Sequence, residues 1–373
     1  MEHLNSPLKK FKNFLLLMVL PLFCVQSMAQ DIHFSQFTMT PILLDASMTG
    51  KQGDYRVFLN YRDQWRSVAS PYKTYGVSME TAFNKKRNKD HFFGAGFSVY
   101  SDRAGDIKMG ITEVKLSGAF HILVDEGKLI SAGLSGGVGQ LSLDQSALRY
   151  DNQYDPTSTG GEVMYHNSSL GSGESVTPEP FFYPDFGLGV SYGANIGSKS
   201  INVSSNNGYD GKKCNIGIAM HHIPKFKNSY LGNKTEKLSF KYLAHFWFSI
   251  GARGTKLAIQ PSGFVAYQNG ATEFTLGSHY RYTLQESSKY TGLVKGAAVT
   301  LGTHYRTGDA FVLSALLELG SYAIGASYDI NTSGVTNNPT VDATKHGRGG
   351  FEISLRFMNP NPFTGGKTSR SRI

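Results

Sequence analysis

Over residues 271–283 the chain alternates. Phe274, Leu276, Tyr280 and Tyr282 fall on one parity, and Glu273, Thr275, Gly277, His279 and Arg281 on the other. A period of two puts the two sets on opposite faces of an extended strand. The alternation recurs at 349–357, where Phe351, Ile353, Leu355 and Phe357 oppose Glu352, Ser354 and Arg356. It recurs again at 55–65, where Tyr55, Val57, Leu59 and Tyr61 oppose Arg56, Asn60, Arg62 and Gln64. No helical stripe of comparable length is visible. Segments of this kind start near Asp54, Tyr72, Phe92, Gly110, Leu129, Phe181, Lys212, Leu238, Leu257, Ala271, Gly292, Ala310, Tyr322 and Gly349. The series predicts about fourteen strands of roughly ten to fifteen residues, longer than the five or six usual in soluble sheets.

Long strands, even in number, with one apolar and one polar face are what a lipid-embedded barrel requires. The expected fold is all-β, a transmembrane antiparallel β-barrel of about 14 strands. If the first strand leaves the periplasm, outward loops total about 90 residues and inward turns about 40, the asymmetry of such barrels. The long connections at 142–180, 223–237 and 332–348 all fall outward, while Asp125-Glu126-Gly127-Lys128 suits a tight inward hairpin. Tyr61, Trp65, Tyr72, Tyr100, Tyr192, Tyr305 and Tyr328 lie near strand ends and suit interfacial girdles. A soluble β-sandwich would have to bury these aromatic faces while keeping strands of this length.

The first thirty residues read as an address. Lys9, Lys10 and Lys12 precede an apolar stretch from Phe14 to Val25, and Ser27-Met28-Ala29 is a small-x-small site that predicts cleavage after Ala29. Phe23 before Cys24 argues against lipid modification. The chain then divides into a signal peptide at 1–29, a periplasmic segment at 30–53 leading to the barrel, the barrel at 54–358 with its long extracellular loop 142–180, and a basic tail at 359–373. Composition agrees: 17% of residues are charged, against roughly 25% in soluble domains, with 42 Gly, 20 Tyr and 24 Phe among 373 residues. Cys214, flanked by Ile216, Ile218 and Met220, is expected to be buried.

Candidate chemistry is sparse. Gly133-Leu134-Ser135-Gly136-Gly137 matches the G-x-S-x-G nucleophile elbow, but it sits within a strand that continues as strand, without the strand-to-helix turn the motif needs. Adjacent residues on a strand point to opposite faces, so His221 and His222 are not expected to share a metal. His245, His279 and His304 lie on separate strands with no carboxylate at ligand spacing. Asp151-Asn152-Gln153-Tyr154-Asp155 lacks the Gly and distal Glu of an EF-hand and reads as a polar turn. No residue set points to a catalytic centre, a cofactor or a resident metal, and nucleic acid is not an expected ligand. The inward parity carries Arg56, Arg62, Glu80, Glu113, Lys115, Glu273, Arg281, Glu318, Glu352 and Arg356, both signs together, which predicts a lumen crossed by ion pairs.

Several segments, in order, resemble the PorP/SprF family of outer-membrane proteins of the type IX secretion and gliding systems of Bacteroidetes. They are His33-Phe34-Ser35-Gln36-Phe37, Asn60-Tyr61-Arg62-Asp63-Gln64-Trp65, Pro71-Tyr72-Lys73-Thr74, Gly94-Ala95-Gly96 and Ser101-Asp102-Arg103-Ala104-Gly105-Asp106. Tyr183-Pro184-Asp185-Phe186-Gly187, His221-His222-Ile223-Pro224, Ser327-Tyr328-Asp329-Ile330-Asn331 and Gly350-Phe351-Glu352-Ile353-Ser354-Leu355 follow. Asp45-Ala46-Ser47 departs from the family's Asn-Pro-Ala turn. The resemblance implies a non-enzymatic barrel that binds and anchors, and supports export of, a secreted cell-surface protein or adhesin with a type B C-terminal domain. The alternative it implies is a constitutive machine part docking periplasmic ring subunits, for which the sequence offers the basic run Lys85-Lys86-Arg87-Asn88-Lys89 and the cationic tail Lys367 to Arg372. A passive porin and a barrel hydrolase are the remaining readings. Tyr61, Arg62, Gln64, Trp65 and Asp102 are the motif positions singled out as partner-binding candidates, against girdle aromatics and lumen ion pairs.

Overall fold

The computed structural model describes residues 31–52, 55–64, 71–84, 90–155, 165–167, 169–173, 180–196, 212–226, 237–251, 255–285, 296–332 and 348–359. The predicted leader, the basic run 85–89, Trp65 and the C-terminal tail lie outside them. The strands are β1 (Tyr55–Gln64), β2 (Tyr72–Phe83), β3 (His91–Ala104), β4 (Met109–Asp125), β5 (Lys128–Ser142), the short pair β6 (Tyr154–Asp155) and β7 (Tyr165–His166), β8 (Phe181–Ile196) and β9 (Lys212–His221). They continue as β10 (Lys241–Gly251), β11 (Leu257–Gln268), β12 (Ala271–Gln285), β13 (Ala297–Arg306), β14 (Ala310–Leu319), β15 (Tyr322–Asn331) and β16 (Arg348–Asn359). All but β6 and β7 form one closed barrel of fourteen antiparallel strands, sealed where β1 pairs with β16. Closure leaves no open edge, which lipid would not tolerate.

Period two decides what each face does. Leu116, Ile218 and Phe182 are 66%, 64% and 71% exposed on the outer surface, as befits side chains solvated by lipid. Cys214 shares their parity on β9 and is half-buried on that outer face rather than buried inside, because its apolar neighbours Ile216 and Ile218 are wall residues and not core. Tyr100 reverses in the other sense. It shares parity with Phe92 and Ser98, points into the lumen and is buried, so it is not a girdle residue. Tyr192, Tyr305 and Tyr328 are exposed outside, whereas Tyr72, the first residue of β2, is exposed on the inner parity it shares with Thr74 and is not a girdle residue either.

The lumen is filled by the chain's own N-terminal segment. Residues 31–52 start at the rim that carries the long connections, where Asp31 meets His222 and Lys241. They end at the opposite rim, where Gln52 accepts a hydrogen bond from Arg56 near the start of β1. Between these points lie a 3-10 turn at Phe37–Met39, the short helix α1 (Pro41–Leu44) and a second 3-10 turn at Ala46–Met48. The periplasmic position expected for 30–53 is thus replaced by a lumenal one for 31–52. The reason is composition: Ile32, Phe34, Phe37, Met39, Ile42 and Met48 are all buried, and a water-exposed lead-in would leave them wet.

These side chains meet apolar patches on an otherwise polar inner wall. Phe37 packs with Ala219, Leu243, Phe264 and Ala266, its ring edge-on to Phe264 at 5.2 Å. Ile32 and Phe34 pack with Tyr100. Where the plug backbone passes closest, the wall has glycine. A Cβ at Gly133 would collide with the backbone of Ala46 and Ser47, and one at Gly94 with the Thr49 carbonyl. Gly133 therefore belongs to a close approach and not to a nucleophile elbow.

Gly133→Val tests this packing. Valine suits the strand but cannot share the space with Ala46, so the barrel should form with the lower plug displaced. Planar-bilayer recordings are expected to show a near-silent parent and a conducting variant.

Candidate functional site

The plug is held by two charged clusters near the long-loop rim. In the first, Glu352 of β16 accepts the backbone N–H of Ser35 (2.7 Å) and of Gln36 (3.1 Å) through its two carboxylate oxygens. Ser35 Oγ donates to Asp329 Oδ2 on β15 at 2.7 Å. The same oxygen takes Arg62 Nη2 at 3.0 Å and Arg306 Nη2 at 2.6 Å, while Arg62 Nη1 donates to the His33 carbonyl at 2.7 Å. Charged groups this deep are sustained only when paired and hydrogen-bonded. Burial, with Arg62 and Arg306 adding to it, holds the His33 imidazole well below its usual 6.5, so that ring is neutral.

The second cluster fixes the start of the plug. His222 Nε2 donates to Asp31 Oδ2 and Nδ1 to Asp185 Oδ1, each at 3.1 Å, and Lys241 Nζ also reaches Asp31 Oδ2 at 3.1 Å. Lys115 Nζ sits between Glu113 (2.7 Å) and Asp185 (2.6 Å). Glu113, Asp185 and His222 bring ligand atoms within 4.8 Å of one another. A cation is already supplied there by the Lys115 ammonium, so the trio reads as an ion-pair network. His222 leaves the strand with φ of +63°, which turns its ring inward beside His221 instead of outward. That backbone turn is why strand parity misplaces it. Burial opposes charge on His222, but Asp31 and Asp185 outweigh it and raise the imidazole to about 9. Burial likewise works against the Asp31 carboxylate, and Lys241 and His222 overcome it, holding Asp31 well below 3.8.

Further down, Asp45 caps the Ala46–Met48 turn through Ser47 N (2.7 Å) and accepts from His245 Nε2 at 2.9 Å. The carboxylate that spacing did not find for His245 comes from the plug. Asp45-Ala46-Ser47, the departure from the family turn, thus makes its own cap. Ser47 and Lys51 bond Ser191, and Gly50 N donates to Glu80 at 2.6 Å.

The sequence-selected residues separate cleanly. Arg62 is a plug anchor. Register aligns Arg62 of β1 with Thr74 of β2 and Thr74 with Asp102 of β3, and Thr74 Oγ1 donates to Asp102 at 2.6 Å, so Arg62 and Asp102 share one inner row. Tyr61 faces outward, 5.2 Å from Tyr75, with its hydroxyl on Asp63. Gln64 closes β1 on the inner parity, half-buried. Trp65 lies outside the described residues. All ten inward charges read from parity do point inward, and Arg56–Glu80, Lys115–Glu113, Arg281–Glu318 and Arg356–Glu318 pair among themselves. Asp31, Ser35, Asp45, Asp185, Asp329 and His222 were not selected as site residues. The signal available for Ser35, Asp185, His222 and Asp329 is membership of the family-like motifs, while Asp31 and Asp45 lie outside those motifs.

Two measurements follow. Arg62→Ala leaves Asp329 with less compensation and the His33 carbonyl unmet, which should cost about 3–5 kcal/mol in urea unfolding from bilayers. The His222 tie has a defined pH window. Because the folded state raises the imidazole above 6.5, its contribution is complete below that value and is lost as pH rises through about 9. Protection of the amides of residues 31–36, measured relative to their intrinsic exchange rate at each pH, is expected to fall between pH 7 and 10 in the parent, and Asp31→Asn should shift the NMR titration of His222 downward.

Among solved structures, the chain is similar to a FadL homologue of Pseudomonas aeruginosa, at 10% identity and TM-score 0.45 over 84% of this chain and 93% of that one. It is similar to the CymD monoaromatic hydrocarbon channel at 10% identity and TM-score 0.41, over 89% and 94% of the two chains. The translocator domain of the autotransporter NalP from Neisseria meningitidis gives 12% identity and TM-score 0.36 over 86% and 95%. No curated protein matches the chain in sequence. The family described as type IX secretion system membrane protein PorP/SprF matches residues 26–357, plug and barrel alike. Family and fold point to a secretion membrane protein of the outer membrane rather than to an enzyme. The chain belongs to the PorP/SprF family of type IX secretion system membrane proteins.

Proposed function

We propose that this barrel binds and anchors, at the cell surface, one secreted protein carrying a type B C-terminal domain. The observation that carries the reading is the plug. A lumen occupied by residues 31–52 and pinned at Arg62, Asp329 and Glu352 is poorly suited to passive diffusion and well suited to supporting a rigid outer rim. That rim bears the long connections. Within the longest of them, 143–180, the described part is ordered by its own contacts: β6 pairs with β7, and Gln153 bonds both the Tyr150 backbone and His166. A structured projection on a closed wall offers a docking platform, and an extended partner segment could pair along β6–β7 by strand addition.

The experiment is affinity purification of the C-terminally tagged barrel from native outer membranes in mild detergent, with mass spectrometry of what co-elutes. One large secreted protein at near-equal amount is expected. Replacing 143–180 by a short linker should release that protein to the medium while the barrel stays folded. Ring subunits without a secreted protein would assign a machine part instead, and unchanged retention after loop replacement would reject the docking role of the loop.

A further inference from the structure

The outer wall of the barrel is not evenly convex. Between β8 and β11 it carries a groove of about 520 Å³ lined almost wholly by apolar side chains. Register accounts for it. Met220, Tyr242 and Tyr267 stand abreast in one outward row, and Ile218, Ala244 and Val265 in the next row down. Ala244 offers a single methyl group between the branched side chains of Ile218 and Val265, so the lower row is notched where β10 crosses it. Below the notch Phe246 lies against Gly263, where an added Cβ would come within 3.1 Å of its ring. Ala244 is the fourth of the eleven residues of β10, counted from the rim with the long connections, the outward rim in barrels of this kind. The groove therefore faces the outer leaflet.

Its upper end meets a cation. Phe240, above Tyr242 on the same outward parity, stands edge-on to it with ring centroids 6.4 Å apart. The ammonium of Lys225, an exposed residue, lies over the Phe240 ring at 5.1 Å. Lys237 is exposed at the far end of the same connection, where the Leu238 N–H donates to the Phe226 carbonyl at 2.8 Å. This connection joins β9 to β10, the two strands at the centre of the groove, and its residues 223–237 include four lysines and one glutamate. Basic charge is not general at this rim. The longest connection, 143–180, carries six carboxylates and one arginine.

An apolar trough within the membrane that ends beneath exposed ammonium groups suits a lipid with an anionic headgroup. We infer that the groove holds an acyl chain of a phosphate-bearing lipid of the outer leaflet, the chain lying over Ala244 between Ile218 and Val265 and the phosphate seated at Lys225. A neutral lipid, or an apolar segment of a partner protein, would fill the trough and leave the ammonium unanswered.

The test is native mass spectrometry of the full barrel in mild detergent, with diphosphoryl lipid A as probe and the same lipid stripped of its phosphates as control. Saturable binding of one lipid A is expected, at least about tenfold tighter than the control, as a charge-assisted contact requires. Lys225→Gln should weaken lipid A about fivefold and leave the control lipid unchanged. Ala244→Phe fills the notch and leaves every charge in place, so it should abolish the tight site. Ala326→Phe, the same change on the outward face of β15, should leave that site intact; a heat-modifiability gel checks that each variant is folded. In cells, p-benzoylphenylalanine in place of Ile218 is expected to crosslink to lipid A. A protein adduct there would assign the groove to a partner's apolar segment and overturn the proposal, as would equal binding of the two lipids or unaltered binding in folded Ala244→Phe.

Discussion

The interior of this barrel depends on one arrangement: two successive backbone amides, of Ser35 and Gln36, donating to the carboxylate of Glu352. A fourteen-strand wall encloses more space than its own inward side chains can fill, and those side chains are rich in charge. Left to themselves, Glu352, Asp329, Arg62 and Arg306 would need water or one another. The plug supplies the missing donors and acceptors from its main chain, and its hydroxyl at Ser35 joins the two arginines to the aspartate. Packing of Phe34 and Phe37 then follows, because their neighbours Ser35 and Gln36 are already fixed.

This explains why the family-like motifs, scattered over some three hundred residues, are what they are. Ser35 and Gln36, Arg62, Asp329 and Glu352 come from four of them and meet in one cluster. Asp185 and His222 come from two more and bond each other, with His222 reaching Asp31 through its other nitrogen. Gly94 comes from another and lies under Thr49. Motifs of this kind describe how the lumen is filled.

The strands and the direction of the inner charges were legible because period two is a local property, readable within ten residues. Parity also places Tyr100 inside and Cys214 outside, and it outranks the nearness of Tyr100 to a strand end and of Cys214 to apolar neighbours. The plug was not legible. Its buried positions, 32, 34, 37, 39, 42 and 48, follow neither helical nor strand spacing, since each answers to a different part of the wall. Its partners lie up to 317 residues away, as with Ser35 and Glu352, and no local pattern encodes them. His222 shows the same limit at the scale of one residue: a left-handed backbone step moves its ring to the other side of the wall.

Arg62 and Glu352 are also direct partners in the β1–β16 ladder. The plug is tied, through Ser35, Gln36 and the His33 carbonyl, to the two strands whose pairing seals the barrel. Sealing the cylinder and occupying it thereby become one cooperative event. A chain whose first strand has not found its last offers the plug only half of its seat, and a sealed but empty cylinder leaves that seat unsatisfied. Assembly in the membrane is thus biased against hollow intermediates, because an empty, leaky cylinder lacks the contacts that satisfy its own seam.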